Sequence, residues 1–329
     1  MGHAQRAPDA DRLGAGLARG SARAPAGRHR GDAEQPGRAG SGGGERRGRA
    51  AVAAAAGRRG PTGRAGAGGG ARLSTTILHH EASGPEHAPV VLLANSLGAN
   101  LSMWQPQVAA LARSFRVITF DQRGHGASPI PPGPYAMSDL GEDVIALLDR
   151  LGVERASYVG LSIGGMAGIW LGANAPERLD RLVLMCTSAH APPASRWRER
   201  VAAVRAAGTT ASIADAVVAR WFTPSWSLAH PDAVAAHRAM IAGTDPDGYC
   251  GCCEAIAEMD LRDALPRIPV PTLVLGGADD LALPPEHQRL IAAAIPGARL
   301  ELIADAAHIA SAEQPATVNR LIEEHLAHE

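Results

Sequence analysis

The stretch Gly160-Leu161-Ser162-Ile163-Gly164 limits what this chain can fold into more than any other. The apolar run before it, residues 156–161, reads as a buried strand. Residues 165–173 after it, rich in glycine and alanine, read as a helix packed closely on its neighbours. A serine at so sharp a strand-to-helix turn is held clear of the sheet, in a strained backbone, at the positive end of a helix. A nucleophilic oxygen and the oxyanion it creates are both best stabilised there, so Ser162 is the candidate nucleophile. A G-x-S-x-G pattern alone is common; its place between a strand and a helix gives it weight.

The surrounding sequence repeats the same alternation. Strands are predicted from residue 75, over 89–94, 116–121, 181–185, 271–276 and 299–303. Helices are predicted over 105–112, 137–151 with Ser138 as N-cap, 286–294, and 315–326 with Pro315 at the favoured first position. Runs such as Val90-Val-Leu-Leu-Ala94 are apolar throughout, as in a sheet covered on both faces. This is the pattern of an α/β fold with a mostly parallel, doubly wound sheet, whose chemistry collects at the C-terminal strand ends. Residues 188–266 break the alternation. They read as several helices and hold five of the chain's eleven aromatic residues: Trp197, Trp221, Phe222, Trp226 and Tyr249. An all-helical insertion on the side of Ser162 reads as a lid.

A serine nucleophile needs a base, and the base needs an orienting acid. Of thirteen histidines, His308 alone lies in the loop just after the last predicted strand. The acid lies in Gly277-Ala278-Asp279-Asp280, beyond the strand before it. Asp280 is assigned on the spacing Gly-x-x-Asp with Pro284 four residues later, and Asp279 is the alternative. The order Ser162, Asp280, His308 is the order of an α/β-hydrolase triad. The oxyanion needs two backbone N–H groups. One is assigned to Ile163, after the nucleophile, and the other to Leu97 in the loop Asn95-Ser96-Leu97-Gly98, which follows a buried strand. The turn Asp121-Gln-Arg-Gly-His-Gly-Ala-Ser128 reads as a structural support beside the site.

Composition narrows the alternatives. All 32 basic residues are arginine, and the net charge is −1. That charge is divided between a basic segment, residues 1–72, and an acidic remainder, which argues against a nucleic-acid enzyme. Residues 1–72 contain no Phe, Trp, Tyr or Ile and half of the 38 glycines, so they have almost nothing to bury. They are expected to be a disordered, dispensable tail, with the folded domain spanning 73–329. Cys250, Cys252 and Cys253 lack the spacing of a zinc site and read as small packing residues in a reducing compartment, the cytoplasm. No apolar run is long enough to span a membrane. No cofactor, metal, membrane or nucleic-acid partner is expected.

Residues 73–329 resemble the α/β-hydrolase superfamily and, within it, the 3-oxoadipate enol-lactonases. The narrower resemblance rests on Asn95-Ser96-Leu97-Gly98 with Met103-Trp104 and Pro106-Gln107, on Arg220-Trp221-Phe222-Thr223, and on Gly248-Tyr249 with Cys252-Cys253 and Ala255-Ile256. It implies hydrolytic opening of a small enol lactone that carries an acetate arm, with 3-oxoadipate as product. Ser162 would then be acylated, and the anionic arm would need a cationic wall. Arg196, Arg198 and Arg200 beside Trp197 are the candidates, with Asn95, Ser96 and Trp221 as further pocket residues. The rival readings are a general esterase, a perhydrolase or a C–C bond hydrolase of the same fold, and a non-catalytic receptor or scaffold.

Overall fold

The computed structural model describes residues 76–327. The tail assigned to residues 1–72 lies outside the described residues. Seven strands form one sheet: β1 (His80–Ser83), β2 (Val90–Ala94), β3 (Arg116–Phe120), β4 (Ala156–Leu161), β5 (Leu179–Met185), β6 (Thr272–Gly277) and β7 (Arg299–Ile303). Their spatial order is β1-β3-β2-β4-β5-β6-β7. Only β1 runs antiparallel to its neighbour. The helices in chain order are α1 (Gln105–Leu111), α2 (Met137–Arg150), α3 (Ile163–Asn174), α4 (Ala194–Ala207), α5 (Ala211–Val218), α6 (Pro224–Ala229), α7 (Pro231–Ala242), α8 (Pro246–Glu258), α9 (Pro285–Ala294), α10 (Ala310–Glu313) and α11 (Pro315–Ala327).

Successive strand residues point to opposite faces, and each face has its own core. Val91, Leu93, Val159, Leu161 and Val183 pack with Leu111 of α1 and Val318 and Ile322 of α11. Leu92, Ala94, Tyr158, Leu182 and Leu184 pack with Val144 and Leu148 of α2, Ile169 of α3 and Ile291 of α9. The chain leaves β2 toward β3 on one side and returns to β4 on the other, so strand order reverses between β2 and β4. The crevice at such a reversal is where a doubly wound sheet binds ligands.

Two predicted features differ from the structure. No strand runs through residues 76–79: the Thr76 amide donates to Asp143 Oδ1 and the His79 amide to Ser128 Oγ, so side chains take up backbone groups that a ladder would use. Pairing begins at His80, opposite Phe120. Helix α2 is not capped by Ser138, which lies inside it. The extended residue before the helix is Ala136, and its amide donates to the Asp139 carboxylate at 2.7 Å.

Helices α4–α8 all fall between β5 and β6. Trp197, Val201, Tyr249, Cys250, Cys252, Cys253 and Ile256 from this insert share a core with Leu97, Ile163 and Met166 of the body. The cysteines are free and buried, and burial pushes their thiols up. Gly124 and Gly248 set how closely insert and body approach: a Cβ on Gly124 would lie 2.4 Å from the Gly248 Cα. Beneath this contact Arg123 grips Asp143, with Nε to Oδ2 at 2.6 Å and Nη2 to Oδ1 at 2.7 Å. Both side chains are 1% exposed. Removing Asp143 takes both short bonds from a buried guanidinium and leaves it, as an ion pair, only the longer contact to the Asp139 carboxylate at 3.7 Å, so Asp143→Ala is expected to lower stability by about 3 kcal/mol. Denaturant unfolding checks this, and a loss near zero would mean that water reaches Arg123.

Candidate active site

Ser162 ends β4 and precedes α3 with φ 58° and ψ −118°, in the left-handed region that ordinary side chains avoid. Three contacts hold the turn there. The Ser162 amide donates to the Met185 carbonyl at 2.9 Å, Thr187 Oγ1 donates to the Ser162 carbonyl at 2.6 Å, and the Gly164 amide donates to the Asn95 carbonyl at 3.2 Å. Gly160 has no room for a side chain, because its Cβ would sit 2.3 Å from the Gly164 carbonyl oxygen. The glycines of the motif therefore serve the close approach of α3 to β4 and β2.

His308 lies in the loop between β7 and α10, buried at 2% exposure. Its Nδ1 is 2.9 Å from Asp280 Oδ2. The other carboxylate oxygen, Oδ1, accepts the amides of Ala282 and Leu283 at 2.7 and 2.9 Å. With the carboxylate accepting, Nδ1 carries the proton and Nε2 is left as the acceptor. Asp279 is exposed on the same loop. The Trp221 ring lies beside the imidazole, centroids 6.4 Å apart.

The loop after β2 is fixed from several sides. Asn95 donates to the Phe120 carbonyl through Nδ2 and accepts from Trp104 Nε1 through Oδ1, both at 2.9 Å. Fully buried and engaged at both ends, its side chain supports the loop rather than facing the pocket, which corrects its assignment as a pocket residue. The Ser96 amide points to Met103 Sδ and the Gly98 amide donates to His125 Nε2. Burial lowers the His125 pKa to about 4, so the ring is neutral. Its Nδ1 then donates to the Arg123 carbonyl and its Nε2 accepts. The segment read as a structural turn thus holds the Leu97 loop through one tautomer of one histidine. The amides beside Leu97 and Ile163 are all taken. Those of Leu97 and Ile163 themselves find no protein acceptor among the described residues.

Ser162, His308, Ser96 and Leu97 line one cavity, roofed by the helical insert through Arg196, Trp197, Arg200, Val217, Arg220, Trp221 and Tyr249. Arg196 and Arg200 are one helical turn apart and both lie over the Trp197 ring, at 5.4 and 5.1 Å from its centroid. Arg198, grouped with them from sequence, points away and pairs with Glu258 at 2.7 Å on the surface. The third cation at the cavity is Arg220, which the sequence offers only as part of the segment Arg220-Trp221-Phe222-Thr223 that carries the family resemblance. Burial, then Arg200 and Arg196, hold its pKa below the ordinary guanidinium value. Among the described residues none of these three arginines forms an ion pair, no group of His, Cys, Asp and Glu could hold a metal ion, and no helix is long and apolar enough to cross a membrane.

Residues 89–315 match the family model of the α/β-hydrolase fold. The chain is 40% identical over 246 residues to the 3-oxoadipate enol-lactonase 2 of Acinetobacter baylyi, covering 75% of this chain and 91% of the relative. It is 31% identical to a putative carbamate hydrolase RutD of Caulobacter segnis, covering 70% of this chain and 88% of the relative. Among solved structures, the enol-lactonase of Burkholderia xenovorans LB400 superposes with a TM-score of 0.76 at 41% identity, covering 78% of this chain and 98% of that one. On these matches, and on a sheet whose one strand reversal falls at Ser162, the chain belongs to the α/β-hydrolase family, in the branch of the 3-oxoadipate enol-lactonases.

Proposed function

We propose that the protein is a serine hydrolase that opens 3-oxoadipate enol-lactone to 3-oxoadipate. The observation that carries this reading is one cavity lined by Ser162, by His308 paired behind it with Asp280, and by a cluster of arginines without ion-pair partners among the described residues. Ser162 Oγ attacks the lactone carbonyl as His308 Nε2 takes its proton. The free amides of Leu97 and Ile163 receive the negative charge that develops on the carbonyl oxygen. The ring C–O bond breaks next. The enolate leaves but stays tethered, takes the proton from His308 and tautomerises to the ketone. A water, deprotonated by His308, then attacks the acyl-enzyme, and Ser162 recovers its proton as the second carboxylate is released. An enolate is a better leaving group than a simple alkoxide, so the fold's ordinary acyl-transfer parts suffice. The similarity to the Acinetobacter and Burkholderia enol-lactonases supports the same substrate.

The acetate arm supplies the test. Arg196 and Arg200 offer its carboxylate charge-assisted contacts, and binding energy from a remote group is expressed at the reacting centre. Esterifying the arm should cut kcat/KM by roughly ten- to a hundred-fold, the scale of about 1.5–3 kcal/mol for one such contact. Spectrophotometric loss of the lactone, run beside its methyl ester and a neutral aryl ester, reads this directly. Equal rates on all three would leave an unselective esterase.

A further inference from the structure

The cavity at Ser162 has a volume of about 30 Å³, far below the roughly 300 Å³ at which ligand pockets begin. A lactone acid cannot enter unless part of the wall moves. Outside lies a second concavity of about 620 Å³, bounded by the turn after α5 and the loops that follow β6 and β7. Arg220 lines both spaces, so its side chain is part of the partition between them.

The backbone beside Arg220 is tied down. The Ile309 amide donates to the Trp221 carbonyl at 2.9 Å. Glu313 Oε1 accepts the Thr223 amide and hydroxyl, both at 2.8 Å, while Oε2 accepts the Ala307 amide. Moving this segment would drag the His308 loop with it. The part that can move cheaply is the arginine side chain. Turned inward, it meets Arg196 and Arg200, a third cation in a desolvated space. On its outer side Asp279 and Asp305 line the second concavity, are exposed and have no ion-pair partner among the described residues.

We propose that Arg220 is the specificity-determining residue of this site. It swings out to the carboxylates of the outer concavity to admit substrate, and swings in as a further guanidinium on the substrate carboxylate. A neutral substrate gains nothing from closure and meets the side chain as an obstacle. The proposal rests on the anionic-substrate reading above, and its test separates the two. Hydrolysis of p-nitrophenyl acetate is measured in the wild type, Arg220→Ala and Arg220→Lys, with adipate as a competitive inhibitor, and melting temperature is followed as a control for folding. In Arg220→Ala the adipate inhibition constant should rise by about tenfold or more. The neutral ester should be turned over several-fold faster, because the obstacle is gone. Arg220→Lys should recover part of the adipate binding. An unchanged inhibition constant, or a fall in neutral-ester turnover, overturns the proposal. Failure of the wild type to open the enol lactone would overturn the proposed substrate, while the adipate result still reports on Arg220.

Discussion

On the proposed mechanism, Ser162→Ala is expected to lower kcat for the enol lactone by roughly 10⁵- to 10⁶-fold, the scale on which a serine hydrolase loses turnover with its nucleophile. The fold should survive. The strained backbone at φ 58° is held by the Met185, Thr187 and Asn95 contacts, all made through main-chain atoms of the turn, and alanine keeps them. The melting temperature should therefore move little while turnover disappears. Intact-protein mass spectrometry with a slow aryl ester gives a second reading: the wild type should gain the acyl mass and the variant should not. Acylation of the variant would place the nucleophile elsewhere.

Asp280→Asn is expected to cost about 10⁴-fold in kcat, the scale set by a triad whose histidine is held in the wrong tautomer. An amide nitrogen at Oδ2 would donate to His308 Nδ1 and leave the proton on Nε2, where the base must accept one. Because Oδ1 can still receive the Ala282 and Leu283 amides, the loop should keep its shape. Asp279→Asn removes an exposed charge with no contact to His308, and should leave the rate of acylation in a single turnover nearly as in the wild type. A reversed order would move the orienting role to Asp279 and break the proposed mechanism.

The sheet was legible because its central strands are apolar on both faces, so β2 through β6 stand out as continuous runs bounded by polar turns. The edge strand β1 is not legible, because His80 and Glu81 carry no such signal and Ile77, which does, is 60% exposed ahead of the strand. Residue type favours Ser138 as a cap, yet the capping group is the Asp139 carboxylate reaching back one turn. The arginines show where local and tertiary information divide. Arg196 and Arg200 are four residues apart and share a helix face, while Arg198 lies two from each and must point elsewhere, so helical period alone separates them. Arg220 reaches the same cavity from a different helix end, and Asn95 is sealed behind it by Trp104. Glu313 binds two loops at once. No spacing along the chain encodes those three placements.

The order of strands in the sheet also orders the assembly of the site in time. Ser162 ends the central strand β4, Asp280 follows β6, and His308 follows β7 at the far edge. A ribosome at ordinary speed takes on the order of ten seconds between the serine and the histidine. Until that interval ends the chain lacks the base, and the inserted helices lack their anchor on Glu313. In the proposed mechanism an incomplete polypeptide is thus chemically silent, and reactivity arrives only when the outermost strand closes the sheet.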